Sequence, residues 1–346
     1  YVNGWLVSCF LTPSSEKNYT FPVGLKAELE ESCNPYIPDI EFRTGDLTAI
    51  CKQVFQMLDN HMEITRYLIK EKPWDLFVYV DIGVDRVQHA FWRYFDKTHN
   101  LYQENSKFKH VIRDYYKAVD NYLGELLELI DKNTFVLVAS DHGVKPMKGT
   151  FCINEWLIKE GYLVLNQRPK EPTNISEVDI NWDKTKAWAW GGYYSRIFLN
   201  IKGREKNGII DPKDYSKEIN FLKEKLLNLK DHHGLIMNNI VVQPEDLYDS
   251  PKGNFPDLMV VYDDLSWRAA GIVGNNSLFL FDENTASGDA MHNWDGMFIL
   301  YDPKSQFSKG RINARIEDIT PTILYLMDED IPKDLDGKVI NNVKKT

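Results

Sequence analysis

Short runs of Val, Ile, Leu and aromatic residues alternate along the chain with longer segments whose apolar residues recur at three- and four-residue steps. That is the pattern of a mostly parallel sheet covered by helices on both faces, an α/β fold. The run "DLFVYVDIG" (75–83) is nearly continuous in large apolar residues, as a strand buried on both faces would be. A helical pattern, "RDYYKAVDNYLGELLELID" (113–131), leads to a second such strand, "TFVLVAS" (134–140), completing a β-α-β unit. After "INEWLIKEGYLVL" (153–165), a polar stretch with two prolines, "NQRPKEPTNISEVDINWDKTK" (166–186), reads as an exposed loop. Beyond it the pattern predicts strands at "YSRIFLNIK" (194–202) and "PDLMVVY" (256–262), with a helix at "DYSKEINFLKEKLLNL" (214–229) between them. "GMFILYDP" (296–303) is a further buried strand, and "IEDITPTILYLMD" (316–328) a closing helix whose acidic first turn suits its dipole. The expected organisation is a core α/β part over 1–160, an inserted α+β cap-like subregion over 161–290, and a return to the core over 291–346.

Composition narrows the function classes. With 43% hydrophobic residues in 346, the chain can bury a sizeable core. The 41 Lys and Arg against 51 Asp and Glu leave a net charge of −10, which opposes nonspecific attraction to nucleic acid or anionic lipid. No apolar run approaches the roughly 20 residues needed to span a bilayer. Cys9, Cys33, Cys51 and Cys152 are scattered without paired spacing, so free thiols and a reducing, cytoplasmic setting are expected. The sequons at Asn18, Asn174 and Asn275 would matter only in a secreted protein.

Candidate chemistry sits at the carboxyl ends of the first two predicted strands, the side of an open α/β sheet where ligands collect. After the first, Asp85 and His89 in "DRVQH" are spaced i, i+4, which on a helix places a carboxylate and an imidazole on one face. After the second come Asp141 and His142, which can converge if the chain turns at once, as Gly143 permits. His292 in "MHNWDGMFIL" stands just before a later strand. Each has a plainer reading: a surface i, i+4 contact, a polar turn, a satisfied loop histidine.

Their order and setting resemble the alkaline phosphatase superfamily, and within it the type I phosphodiesterase/nucleotide pyrophosphatase group. D-x-x-x-H after one strand, "SDHG" after the next, a long insertion, a His ahead of a strand and a closing "DITPTILYLM...IPKDLDGKVI" all stand in that family's order. The resemblance covers nearly the whole chain. It implies a hydrolase of phosphate esters, of phosphodiester or nucleotide pyrophosphate type, acting on a small-molecule substrate. It further implies two divalent ions, zinc or alternatively manganese, with Asp85, His89 and His292 binding one and Asp141 and His142 the other. Such enzymes attack phosphorus with a Thr or Ser hydroxyl and pass through a covalent phosphoenzyme.

The family pattern begins with a strand ending in another Asp ligand and then a nucleophile at a helix start, and neither is visible before Asp85. Ser8, Thr12, Ser14 and Ser15 lie in a stretch resembling the connection after the nucleophile. The expectation is therefore that the front of the pattern lies upstream of Tyr1, and that these residues alone are inactive. A sulfatase reading fails because Cys33 opens "CNPYI", without the required Arg. A phosphomutase or phosphomonoesterase of the same superfamily, or a noncatalytic member serving as a binding module, are the alternative readings. In "WAWGGYYSRIF", Tyr193 and Tyr194 are candidates to line a substrate cleft, although aromatic residues at strand spacing are often core. Lys145 and Lys148 could meet phosphate, and His232-His233 mimic a metal pair; solvated side chains are the plainer reading for all four.

Overall fold

The computed structural model of the protein describes residues 4–12, 14–41, 45–281, 289–307 and 309–343. Leu6–Val7 (β1) and Thr20–Phe21 (β2) precede the helices Gly24–Ser32 (α1), Leu47–Glu71 (α2), Gly83–Phe95 (α3) and Val111–Leu129 (α4). Val136–Ala139 (β3), Gly143–Pro146 (β4) and Gly149–Cys152 (β5) lead into Ile153–Lys159 (α5). Thr173–Asn174 (β6), Ala187–Trp190 (β7), Ser195–Leu199 (β8), Tyr215–Leu227 (α6), Ile240–Val242 (β9), Leu258–Val261 (β10), Trp267–Ala270 (β11), Ile272–Val273 (β12) and Phe279–Leu280 (β13) follow. The last elements are Ala290–Asn293 (β14), Phe298–Tyr301 (β15) and Ile319–Leu326 (α7). The expected edge of the inserted subregion near 290 borders 282–288, which lie outside the described residues.

The architecture is α/β with mixed sheets. β5 and β11 run parallel; the other strand pairings among the described residues are antiparallel, including β3 with β15, β4 with β14, and the sheet β7-β8-β10-β9. The mostly parallel arrangement expected from the hydrophobic pattern is thus realised in one pairing. Residues 75–83 do not form a strand: 76–80 show strand-like alternation, with Phe77 and Tyr79 half-buried and Leu76, Val78 and Val80 exposed at 52%, 70% and 58%. No backbone hydrogen bond joins 76–80 to another described residue. The apolar run carries strand propensity, but a strand is defined by its neighbour.

Two cores flank the region where the candidate residues meet. In the first, the amphipathic faces of α2, α3 and α4 pack through Val54, Met57, Leu58, Val87, Phe91 and Tyr115. Burying each such side chain contributes about 1.5–3 kcal/mol. α2 starts on Asp46, whose carboxylate accepts from the Thr48 and Ala49 amides at 3.0 Å. The second core joins α5, α6 and the four-stranded sheet through Leu157, Ala189, Ile197, Leu222, Val260 and Trp267. No helix among the described residues is long and apolar enough to cross a membrane.

The second core is fastened to β4 by a turn in which Asp263, Asp264 and Leu265 all take left-handed backbone (φ 48°, 54° and 63°). Such conformations cost a β-carbon-bearing residue about 1–3 kcal/mol each. The compensation is visible: Lys148 Nζ meets Asp263 at 2.7 Å, Lys145 Nζ meets Asp264 at 2.9 Å, and the Trp294 indole donates to Asp264 at 2.7 Å. Lys145 and Lys148 are therefore engaged in fastening this turn.

Gly143 is required for a reason different from turning. Its φ is not positive, and β4 begins there; instead a β-carbon would fall 2.0 Å from the Asp295 carbonyl oxygen. Backbone atoms cannot step aside as a flexible side chain can. We predict that Gly143→Ala destabilises the protein by about 1–3 kcal/mol through overpacking, read as a lower urea midpoint. An unchanged midpoint would show that β4 and the 293–295 turn separate freely.

Candidate metal centre

α3 brings Asp85 and His89 to one face because they are one turn apart, and Asp81 sets where that helix begins. Asp81 Oδ1 accepts from the Gly83 amide at 2.8 Å and from the Tyr115 hydroxyl at 3.0 Å. Arg86 grips Asp39 through both carboxylate oxygens, at 2.6 and 3.1 Å, and meets Asp85 Oδ2 at 3.2 Å. With Oδ2 so occupied, Oδ1 of Asp85 is left buried and without a hydrogen-bond partner.

That oxygen faces imidazoles from two elements. It lies 3.2 Å from His89 Nε2 and 3.6 Å from His292 Nε2, and the two nitrogens are 3.2 Å apart. His292 arrives on β14, whose register sets it opposite Val144 of β4. Three atoms at these separations lie on a circle of radius about 1.9 Å, so a point just off their plane is about 2.0–2.2 Å from all three, the length of zinc bonds to imidazole nitrogen and carboxylate oxygen. The donor set therefore fits a small divalent cation. Burial by itself would raise the Asp85 carboxyl, but the imidazoles of His292 and His89 outweigh it and hold the group well below the usual carboxylate range.

The other candidates take different places. His142 joins the same group, with ligand atoms of Asp85, His142 and His292 all within 4.8 Å of one another, and its ring stacks on His292 at 3.5 Å between centroids. Its Nδ1 meets the Gly143 carbonyl at 2.9 Å, which leaves Nε2 for the site. Asp141, in contrast, is 84% exposed as a side chain, 3.6 Å from His142 Nε2. His142 thus has two neighbours, the solvated Asp141 carboxylate beside its Nε2 and the His292 ring against its face.

Tyr193 covers the group. Its ring lies 4.0 Å from that of His292, and its hydroxyl is 3.3 Å from His89 Nε2. Tyr193 and its neighbour Tyr194 are both exposed, at 37% and 40%. The His232 and His233 rings lie 3.8 Å apart at a 43° tilt, and His232 packs against Trp267 and Phe281, in a cluster of aromatic rings.

Three participants escaped the reading of the sequence. Arg93, one turn beyond His89 on α3, forms a buried ion pair with Asp289, three residues before His292. Between α3 and α4, His99 donates from Nε2 to the Asp289 carbonyl at 2.9 Å while its Nδ1 accepts from the Leu101 amide at 3.0 Å. The extended register 85, 89, 93 was the available signal; nothing in sequence marks the partners Asp289 and His99.

The family model for Type I phosphodiesterase / nucleotide pyrophosphatase matches residues 3–295. Comparison with curated proteins finds no match. Among solved structures, murine ectonucleotide pyrophosphatase/phosphodiesterase 5 is similar at 13% identity, over 81% of this chain and 61% of that one, with a TM-score of 0.43. The human counterpart stands at 14% identity, the same coverages and a TM-score of 0.42. The same figures hold for an inactive threonine-to-alanine form of the murine protein in complex with AMP. The chain spans about three fifths of the length of these structures, 61% in each case.

Burial pushes the His99 imidazole below its ordinary value, and it does the same to His61. A histidine held neutral in the fold contributes stability that is present above its unfolded pKa of about 6.5 and is lost as pH falls from there toward the lowered folded value. Urea unfolding at pH 7.5 and 5.5 should show a loss of stability on acidification that is smaller in His99→Gln, whose amide can still donate to Asp289. An equal loss in both proteins would mean that His99 is charged in the fold.

Proposed function

The chain belongs to the type I phosphodiesterase/nucleotide pyrophosphatase family, and from that premise we propose that it holds the metal-binding part of a hydrolase cleaving phosphodiester or nucleotide pyrophosphate bonds. The observation that carries this reading is the triangle of Asp85 Oδ1, His89 Nε2 and His292 Nε2, with sides of 3.2, 3.6 and 3.2 Å. In it Asp85, His89 and His292 hold one divalent ion, and Asp141 and His142 contribute to a second; divalent-metal dependence is general in the family, and zinc suits this donor set, with manganese the alternative. When bound, such ions polarise a phosphoryl oxygen and neutralise the charge that develops on it.

The chain's own groups supply the rest. Asp85 stays ionised, so it offers a full negative charge to the first ion. Tyr193 stacks on His292 beside the triangle, and with Tyr194 it offers an exposed aromatic surface to the substrate's leaving group. No hydroxyl among the described residues is assigned the attack. Thr12 donates to Ser8 within one turn, Ser14 accepts from the Glu16 amide, and Ser140 accepts from the Met297 amide, so these hydroxyls already have partners. The run 76–80, ending at Asp81 just before α3, has no strand neighbour among the described residues.

Zinc content after dialysis tests the ligands. His89→Ala and His292→Ala should each weaken zinc binding by more than about 100-fold, beyond what loss of a supporting partner costs, whereas His232→Ala should leave it intact; equal metal content in all three would misplace the site. Hydrolysis of bis(p-nitrophenyl) phosphate with added Zn²⁺ tests the nucleophile. Residues 1–346 should turn over at a trace rate, and robust turnover would place the nucleophile among them.

A further inference from the structure

Asp85, His89 and Arg93 occupy successive turns of α3, so the helix face that carries two donor atoms continues directly into a guanidinium. That guanidinium is paired with Asp289, and both groups are almost fully buried, at 9% and 5% exposure. Asp289 stands immediately before β14, three residues ahead of His292. Its main chain is engaged as completely as its side chain. Its amide donates to the His89 carbonyl at 2.7 Å, and its carbonyl accepts from His99 Nε2 at 2.9 Å and from the Met147 amide at 3.0 Å. One residue thus touches α3 twice, the segment after α3 once, and the end of β4 once.

A buried ion pair is poor at adding net stability, because desolvating two charges offsets most of their attraction. What a directional contact of this kind does supply is a fixed distance. The spacing it fixes is the one on which the triangle depends, since Asp85 and His89 ride on α3 while His292 rides on β14. A slip of about 1 Å between these elements would lift a donor atom out of the bonding distance near 2 Å.

We infer that Arg93 and Asp289 form a positioning clasp that holds the α3 donors and the β14 donor at metal-binding spacing. Neither side chain belongs to the donor set. The clasp acts through the helix and the strand, as partners behind a metal ligand do, and loss of such a partner typically weakens metal binding by about 10–100-fold. The inference rests on the metal reading of Asp85, His89 and His292 given above.

The test is a Co²⁺ titration of the 346-residue chain, read from the visible absorption bands that report cobalt geometry, alongside thermal unfolding. Asp289→Asn should bind Co²⁺ about 10–100-fold more weakly than the parent and with altered bands. Asp257→Asn is the control. It breaks the pairing of a similarly buried carboxylate with the more exposed Arg204 and a hydrogen bond to the Leu199 amide within the second core, so it should lower the melting temperature while leaving the Co²⁺ affinity and bands unchanged. A folded Asp289→Asn with parental affinity and bands would reduce the clasp to ordinary structure, as would an equal weakening in Asp257→Asn. If Asp289→Asn does not fold, Arg93→Lys is judged by the same two criteria, because lysine keeps the charge and loses the planar fork. The metal reading is checked apart from the clasp by His292→Ala: if it binds Co²⁺ as the parent does, that reading fails whatever Asp289→Asn shows.

Discussion

Gathering a carboxylate and three imidazoles in one partly buried place is unfavourable unless each polar atom acquires a partner. The organisation of this protein follows from that constraint. Asp85 can present a bare Oδ1 because Arg86 holds its other oxygen and is itself steadied by Asp39. His89 and His292 can face that oxygen together because α3 and β14 are joined by main-chain and ionic contacts just behind them. The cost of desolvation is thereby spread over a helix, a strand and the segment carrying Asp39. The first apolar core fixes the α3 surface of the site, and the second is tied to β4 through the Lys145–Asp264 contact.

The inserted region adds a second kind of coupling. Asp264 reaches Lys145 of β4, and Asp263 reaches Lys148 just beyond it, from a turn in which three successive residues adopt left-handed backbone and the buried Leu265 side chain helps to hold the turn in place. Asp264 also holds the indole of Trp294, two residues past His292. The region that carries Tyr193 and Tyr194 is in this way tied to the strand that follows Asp141 and His142, so the aromatic surface and the donor atoms keep a common frame.

The helix face Asp85-His89 was legible in sequence because i, i+4 spacing is a property of helices in general, and α4 formed where periodicity placed it. The convergence of His292 was legible only through family resemblance, since no local rule brings residue 292 to residue 85. Local signals misled where a partner decides the outcome. "DLFVYVDIG" has strand composition but no hydrogen-bonded neighbour among the described residues, and β3 and β15 pair antiparallel although their apolar runs resemble those of a parallel sheet. Gly143 was read as a hinge when its role is to admit the Asp295 carbonyl. Arg93 could have been found only by extending the register 85, 89, 93, and Asp289 and His99 had no distinguishing signal, because a contact spanning 196 residues leaves no mark on the distant segment.

Residues 76–80 have one more consequence. Leu76, Phe77, Val78, Tyr79 and Val80 form an uncharged, β-prone segment whose backbone groups are not bonded to a neighbour among the described residues. An open edge of this kind is a template for any other β-segment, including the same residues of a second molecule, and uncovered edges of that composition drive aggregation. Asp75 and Asp81 bracket it as charged gatekeepers, the arrangement proteins use around hydrophobic strands they cannot dispense with. Concentration, rather than temperature, is then the variable to which a preparation with this edge uncovered is most sensitive.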